Sequence, residues 1–383
     1  MKKHIPGGLI HHTRYKQLDS LRGIVALFVF FTHFLGLKGN MPLFYRLKLT
    51  PLGVLVNGNG AVMFFFVLSG FVLSLPFINA EKPLKLTAFY TKRIFRLYPA
   101  FIIAIIVSIF LKLFVFDKAA MALFTGWIDN FWNWDFDKAN IAGLLKTFLL
   151  VGPQFNVNLI DPPIWSLIIE VKMSVVLPLF IIIASRSKPA LNIGLMVFLI
   201  WLAWQYEYDA WALAVFYLGV LIAKYKNSIV TGLTNRGALF MILICMVAIF
   251  LYNNNYEFPG FIQKLQLPFK YSLSKYLMAI GSGLLIMLAL AGKRITRFLE
   301  HRFFTFLGDI SYSFYLIHAP ILLTMASLFN NKYLLSPVYI FLSSLIIAVA
   351  LAYGMFICIE RPFQQIAKQL IAKYKILNSL GIN

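Results

Sequence analysis

Long apolar runs broken by short polar interruptions set the pattern of this chain. A membrane-spanning helix needs about 20 mostly apolar residues. Ten stretches meet or approach that length: 21–37, 54–78, 97–116, 164–184, 191–206, 209–224, 236–251, 275–291, 310–328 and 336–358. The pattern predicts an all-α fold, a polytopic membrane helical bundle of about ten transmembrane helices. The fifth and sixth stretches are short and joined only by 205–208. Pro99, Pro178 and Pro320 fall in predicted spans, where proline ends or kinks a helix and neighbouring helices take over the freed carbonyls. No internal repeat, low-complexity tract or Ser/Gly linker interrupts the series. The chain divides into a tail over 1–17, one transmembrane domain over 18–363 and a second tail over 364–383.

Composition strengthens this reading. Hydrophobic residues make up 60% of the chain and charged residues 13%, against about a quarter charged in a soluble domain. Such a chain has more apolar surface than one water-facing globule can bury, so the lipid bilayer is its solvent. The net charge of +21 would point to nucleic acid only if it formed a basic patch on a soluble domain; here the bases sit in short loops, and no nucleic-acid partner is expected. With a cytoplasmic N-terminus, 23 of the 35 Lys and Arg fall in inside segments and 10 in outside loops, while Lys112 and Lys172 lie within spans. That bias orients the bundle with both termini in the cytoplasm. Cys245 and Cys358 each lie in an apolar run and imply no disulfide framework. The basic N-terminus is followed by no small-residue cleavage pattern, so no removable signal is expected. The longest outside loop, 117–163, combines five Asp with Trp127, Trp132 and Trp134 and reads as an interfacial lid with a short helix at 141–151.

Titratable groups inside spans are costly and usually face the bundle interior, which makes each a functional candidate. In the first span Arg22 and His33 are eleven residues apart, about three full turns. They share a face, with His33 about 16 Å further from the cytoplasm, and Asp19 or Ser20 is placed to cap the helix start. In the fourth span Ser166 and Glu170 are i,i+4 neighbours beside Trp165. Counted from the outer helix ends, Glu170 and His33 come out at comparable depth. In the ninth, Ser311, Tyr315 and His318 form a stripe, with Gly308 and Asp309 suited to a helix start. Before the third span, Arg93 and Arg96 share a face, and the planar guanidinium fork suits phosphate. Each feature also has a structural explanation. Arg22, Arg93 and Arg96 would serve as orienting charges, His33 and the ninth-span stripe as helix-packing hydrogen bonds, and Glu170 as a partner of Lys172. No metal-ligand spacing, nucleotide-binding glycine loop or nucleophile elbow is present.

In combination these segments resemble the acyltransferase-3 family of multi-pass membrane acyltransferases. The resemblance runs through LDSLRG with Arg22 and His33, FFFVLSGFVLS at 64–74, KRIFRLYPAF at 92–101, IWSLIIEVKMSVVLPL at 164–179, LGDISYSFYLIHAPI at 307–321 and IERPF at 359–363. One departure is Val171-Lys172-Met173 after Glu170, where the family commonly continues with aromatics. Some relatives carry a C-terminal hydrolase-like domain, which is not expected here.

The resemblance implies a membrane-bound O-acyltransferase of the cell (inner or plasma) membrane, moving an acyl group, acetyl above all, from cytoplasmic acyl-CoA to a hydroxyl of a cell-envelope saccharide or lipid-linked acceptor, without a metal. It assigns His33 and Glu170 to catalysis: His33 as general base or acyl carrier, Glu170 to orient it. Arg22 belongs with His33 to the first-span pair and Arg93 and Arg96 to the basic motif; the mechanism expected from these places the three arginines on the coenzyme phosphates and runs the pantetheine arm past Ser69 and Gly70. Trp165, Ser166, Tyr315 and His318 are expected on the acceptor side. The rival reading is a saccharide or lipid-intermediate transporter with His33, Glu170 and His318 as a proton relay; a third is a non-catalytic membrane subunit. Acceptor, acyl length and oligomeric state stay open.

Overall fold

The structure is a computed structural model and describes residues 15–37, 46–78, 83–117, 132, 160–206, 209–254, 270–332 and 337–379. Most of the expected lid, including its helix at 141–151, lies outside the described residues. Helices α1 (Lys16–Gly36), α2 (Gly58–Ile78), α3 (Leu86–Phe114), α4 (Ile164–Arg186), α5 (Pro189–Gln205) and α6 (Trp211–Thr234) come first. They are followed by α7 (Gly237–Tyr252), α8 (Lys270–Ala291), α9 (Lys293–Leu299), α10 (Arg302–Lys332), α11 (Pro337–Met355) and α12 (Arg361–Ser379). Among the described residues, eight helical stretches are long and apolar enough to cross a membrane, and α5 and α7 are shorter apolar helices. Together they occupy the ten predicted stretches. Among the described residues there is no strand.

Several boundaries differ from the sequence expectation. Helix α3 starts at Leu86 rather than 97, because Phe89, Arg93, Leu97, Ala100 and Ala104 are buried at helical spacing. The periodicity therefore begins before the continuous apolar run does. Helix α10 starts at Arg302, so Gly308 and Asp309 lie inside it rather than at its start. Helix α1 starts at Lys16 without a side-chain cap, and Asp19 pairs instead with Arg22 at 3.2 Å. At the far end, α11 runs through a π turn, Phe356–Glu360, into α12. Pro362 follows at once and has no amide hydrogen to return to the turn before it.

Lipid gives helices no hydrophobic reason to associate, so close packing through small residues decides which helices touch. A Cβ on Gly23 of α1 would collide with the backbone of Leu307 and Gly308, and one on Gly308 with the backbone of Asp19. On α2 a Cβ at Gly70 would collide with the Phe216 carbonyl, and one at Gly219 of α6 with the Val67 carbonyl. Helix α1 divides two cores. Ala26 and Phe30 pack with α3, α10 and α11, whereas Val25 and Val29 pack with α2, α6 and α8. Polar ties hold the periphery. Asn57 accepts from the Gly60 amide at 3.0 Å at the start of α2 and donates to the Tyr252 carbonyl at 2.7 Å. Lys224 donates to the carbonyls of Ala184 and Ser187 at the end of α4, which the helix itself leaves unpaired. Exposed Trp201, Trp204, Leu239 and Phe250 on α5 and α7 present the lipid-facing surface.

Candidate active site

The contact between Gly23 and Gly308 sets a register. His33 and His318 each lie ten residues further along their helices, and two parallel helices in that register bring the imidazoles together. Nδ1 of His33 lies 2.9 Å from Nε2 of His318, with ring planes 12° apart. Nδ1 of His318 lies 2.7 Å from the Tyr315 carbonyl. A carbonyl only accepts, so this Nδ1 carries the hydrogen and Nε2 of the neutral ring carries a lone pair. His33 therefore donates from Nδ1, and its own Nε2 holds the basic lone pair. Phe314 stacks on His318 and Phe30 meets it edge-on.

One turn below, Ser166 and Tyr315 lie 2.7 Å apart, oxygen to oxygen. Ser166 already donates to the Pro163 carbonyl at 2.9 Å, so Tyr315 is the donor to Ser166. Trp165 is half-buried and packs in the second core, outside the lining of the central chamber.

Glu170 is not beside His33. It accepts from Nη2 of Arg93 at 2.7 Å and from Ser69 Oγ at 3.2 Å. Arg93 also donates to Ser174 from Nε at 3.1 Å and Nη2 at 2.9 Å. Glu170 lies four residues below Ser166, and His318 three above Tyr315, which separates carboxylate and imidazoles by about 10 Å along the helix axes. The alternative partner fails as well: Lys172 pairs with Asp209 at 2.7 Å. Arg93, Glu170, Ser69 and Tyr315 line a chamber of about 80 Å³ with Arg22, Arg96 and Tyr312. Gly70 faces α6 instead, where it allows backbone packing.

Below the chamber a cavity of about 610 Å³ opens on the side that the charge bias assigns to the cytoplasm. Arg22, Arg96, Arg361 and Lys368 line it with Asp19, Asp309 and Glu360. Arg22, Arg96, Ser311 and Tyr312 belong to both linings, so mouth and chamber adjoin. Glu360 accepts from the Ser313 amide at 3.0 Å and from its hydroxyl. Arg93, expected with Arg96 at this mouth, is instead buried against Glu170. A third cavity of about 540 Å³, with Lys85 and Lys92 in its wall, shares Val72, Leu73 and Arg93 with the chamber.

The sequence reading did not single out Arg361, Lys368 or Glu360 as site residues. The signal available was the amphipathic tail after IERPF, from which Arg361 and Lys368 reach the lining of the mouth. It also left Asp161 among the lid acids. Asp161 is fully buried, and among the described residues neither carboxyl oxygen has a hydrogen-bond partner. Burial pushes its carboxyl well above the usual carboxylate range.

Comparison with known proteins gives a consistent picture. A family model described as an acyltransferase domain matches residues 15–357. An O-acetyltransferase of Phomopsis amygdali, PaAT-1, is 24% identical over 85% of this chain and 75% of its own length. An uncharacterised protein of Haemophilus influenzae is 28% identical over 51% of this chain and 89% of its own. No solved structure matches.

Proposed function

The chain belongs to the acyltransferase-3 family, and from that premise we propose that it moves an acyl group, acetyl in the first instance, from acyl-CoA to a hydroxyl of a cell-envelope saccharide or lipid-linked acceptor. The observation that carries this reading is the polar line through the bundle. It runs from the cationic cavity at Arg22, Arg96, Arg361 and Lys368, past Glu170 and Ser69, to the His33–His318 pair. The similarity to an O-acetyltransferase supports a hydroxyl acceptor. The cell (inner or plasma) membrane is the proposed location.

In this mechanism the guanidinium groups at the mouth hold the coenzyme phosphates by charge-assisted hydrogen bonds. The thioester arm passes through the chamber and covers the rise of about 16 Å between Arg22 and His33. Nε2 of His33 takes the proton of the acceptor hydroxyl as its oxygen attacks the thioester carbonyl. The carbon–sulfur bond breaks, and the imidazolium returns the proton to the departing thiolate. His318 accepts from Nδ1 throughout, which keeps the reacting nitrogen turned outward and shares the transient positive charge. Glu170 neutralises Arg93 and shapes the passage, so it acts on the donor side rather than on the base.

Mass spectrometry of envelope glycans and lipids from cells with and without the gene tests the reading. A base-labile acyl group present only with the gene is the expected result. Identical acylation, with acceptor intermediates accumulating on one side of the membrane without the gene, would replace it by the transporter.

A further inference from the structure

The buried carboxyl of Asp161 has no place in the mechanism above, and its surroundings are built rather than incidental. The carbonyl of Ile160 accepts from Ser108 Oγ at 2.5 Å and from Trp132 Nε1 at 2.8 Å. The carbonyl of Asp161 accepts from the Ile164 amide at 3.2 Å, and Pro162 and Pro163 stiffen the step into α4. The backbone is thus pinned on both sides of Asp161 while its side chain, fully buried, has no hydrogen-bond partner among the described residues. A buried polar group without a partner is costly, and an apolar side chain would avoid that cost.

Position along the helices places it level with the reacting end of the polar line: Ser166 and Tyr315 bond to each other, Asp161 lies five residues outward of Ser166, and His318 lies three residues outward of Tyr315. Ile160 and Ile164 pack in the same core as Phe30 and Phe314, the two rings against His318. Asp161 itself stands three residues before the start of α4 at Ile164. Donor phosphates belong at the opposite end, at Arg22 and Arg96. A carboxyl in such an apolar setting is kept neutral, and a neutral carboxylic acid both donates and accepts one hydrogen bond. An alcohol hydroxyl, which also donates and accepts, is its complement.

We propose that Asp161 is a binding residue for the acceptor, holding a hydroxyl of a polyol or saccharide at the outer side of the His33–His318 pair. The proposal rests on the acyltransferase reading and adds where the acceptor docks. A second hydroxyl held by Asp161 fixes the orientation of the one that reaches His33. The unmet hydrogen bonds of the carboxyl in the free protein are then the ones that the acceptor supplies.

The test uses full-length protein in native membranes supplied with radiolabelled acetyl-CoA. Base-labile label in the envelope fraction reports transfer, and purified protein reports acetyl-CoA binding and thermal unfolding. Asp161→Leu is expected to cut transfer by about tenfold or more, with acetyl-CoA binding intact and an equal or higher unfolding temperature. Asp161→Asn, which keeps a neutral donor and acceptor, is expected to retain more transfer than Asp161→Leu. Transfer by Asp161→Leu equal to wild type would overturn the proposal, as would a joint fall in unfolding temperature and acetyl-CoA binding, the mark of a structural residue. If wild type itself transfers no label, the acyltransferase reading fails first. If wild type transfers and only the Asp161 variants disagree, this proposal fails alone.

Discussion

The two halves of the buried polar line are built from different chemistry. Toward the cytoplasmic mouth the groups are formally charged and answered. Arg93 meets Glu170 and Ser174, Arg22 meets Asp19, and Glu360 takes both bonds of Ser313. Toward the outer end the pairs have no net charge in their neutral forms: imidazole with imidazole, tyrosine with serine, and one carboxyl without a partner. A half lined by cations suits holding an anionic donor. A half of hydrogen-bonded, titratable groups suits moving a proton. Glu170 marks the border, since its ties run to Arg93 and Ser69 rather than to the imidazoles.

Arg93 and Arg96, one turn apart on α3, give the sharpest way to break this comparison. Arg93→Ala leaves Glu170, 22% exposed toward the chamber, without its counter-charge, at a cost of at most about 3–5 kcal/mol, that of breaking a fully buried pair. Loss of the folded fraction in detergent, read by size-exclusion and thermal unfolding, is the expected result. A fully folded Arg93→Ala with weakened acetyl-CoA binding would return Arg93 to the phosphate site. Arg96→Ala is expected to fold and to lose one charge-assisted bond, about 1.5–3 kcal/mol of acetyl-CoA binding, measurable by calorimetry. Unchanged affinity would make Arg96 an orienting charge only.

At the outer end the decisive residue is His318. His318→Leu removes the acceptor for Nδ1 of His33 and frees the ring to adopt the other tautomer. Transfer should fall on the order of 10-fold to 100-fold, less than the roughly 10²–10⁴-fold that a positioned base supplies. His318→Gln keeps an oxygen able to accept and should recover part of that loss. Equal activity of the Gln and Leu variants, over the whole pH profile, would reduce His318 to packing.

The last effect is on stability and is read one pH unit at a time. The folded-state pKa of Asp161 is raised, so its contribution to the fold is present at low pH and lost as pH rises through that value. Above about pH 4 the wild type should lose stability relative to Asp161→Asn by up to about 1.4 kcal/mol per pH unit. Parallel pH curves for the two proteins would show that burial does not hold the carboxyl neutral.

Much of this was legible from residue patterns. The ten apolar stretches, the shared face of Arg22 and His33, and the Ser311–Tyr315–His318 stripe all follow from spacing along single helices. Relations between helices were not legible. Glu170 was expected near His33 because depth was counted from each helix end as if both ended at one level. The helix contacts put Glu170 two turns closer to the cytoplasm. The equal ten-residue steps from Gly23 to His33 and from Gly308 to His318 do stand in the sequence. They acquire meaning only once the two glycines are known to touch. The burial of Arg93 against Glu170 was not legible either, because the apolar run starts only at 97 while the helix starts at Leu86 and turns Arg93 inward.

The central claim is that His33 is the base between a cytoplasmic donor and an outer acceptor, and His33→Ala tests it most directly. In membranes with matched amounts of protein and radiolabelled acetyl-CoA, wild type is expected to label the envelope fraction. The variant is expected to give no detectable label while the purified protein still folds and binds acetyl-CoA. A His33→Ala protein that transfers acetyl at near the wild-type rate would contradict the account.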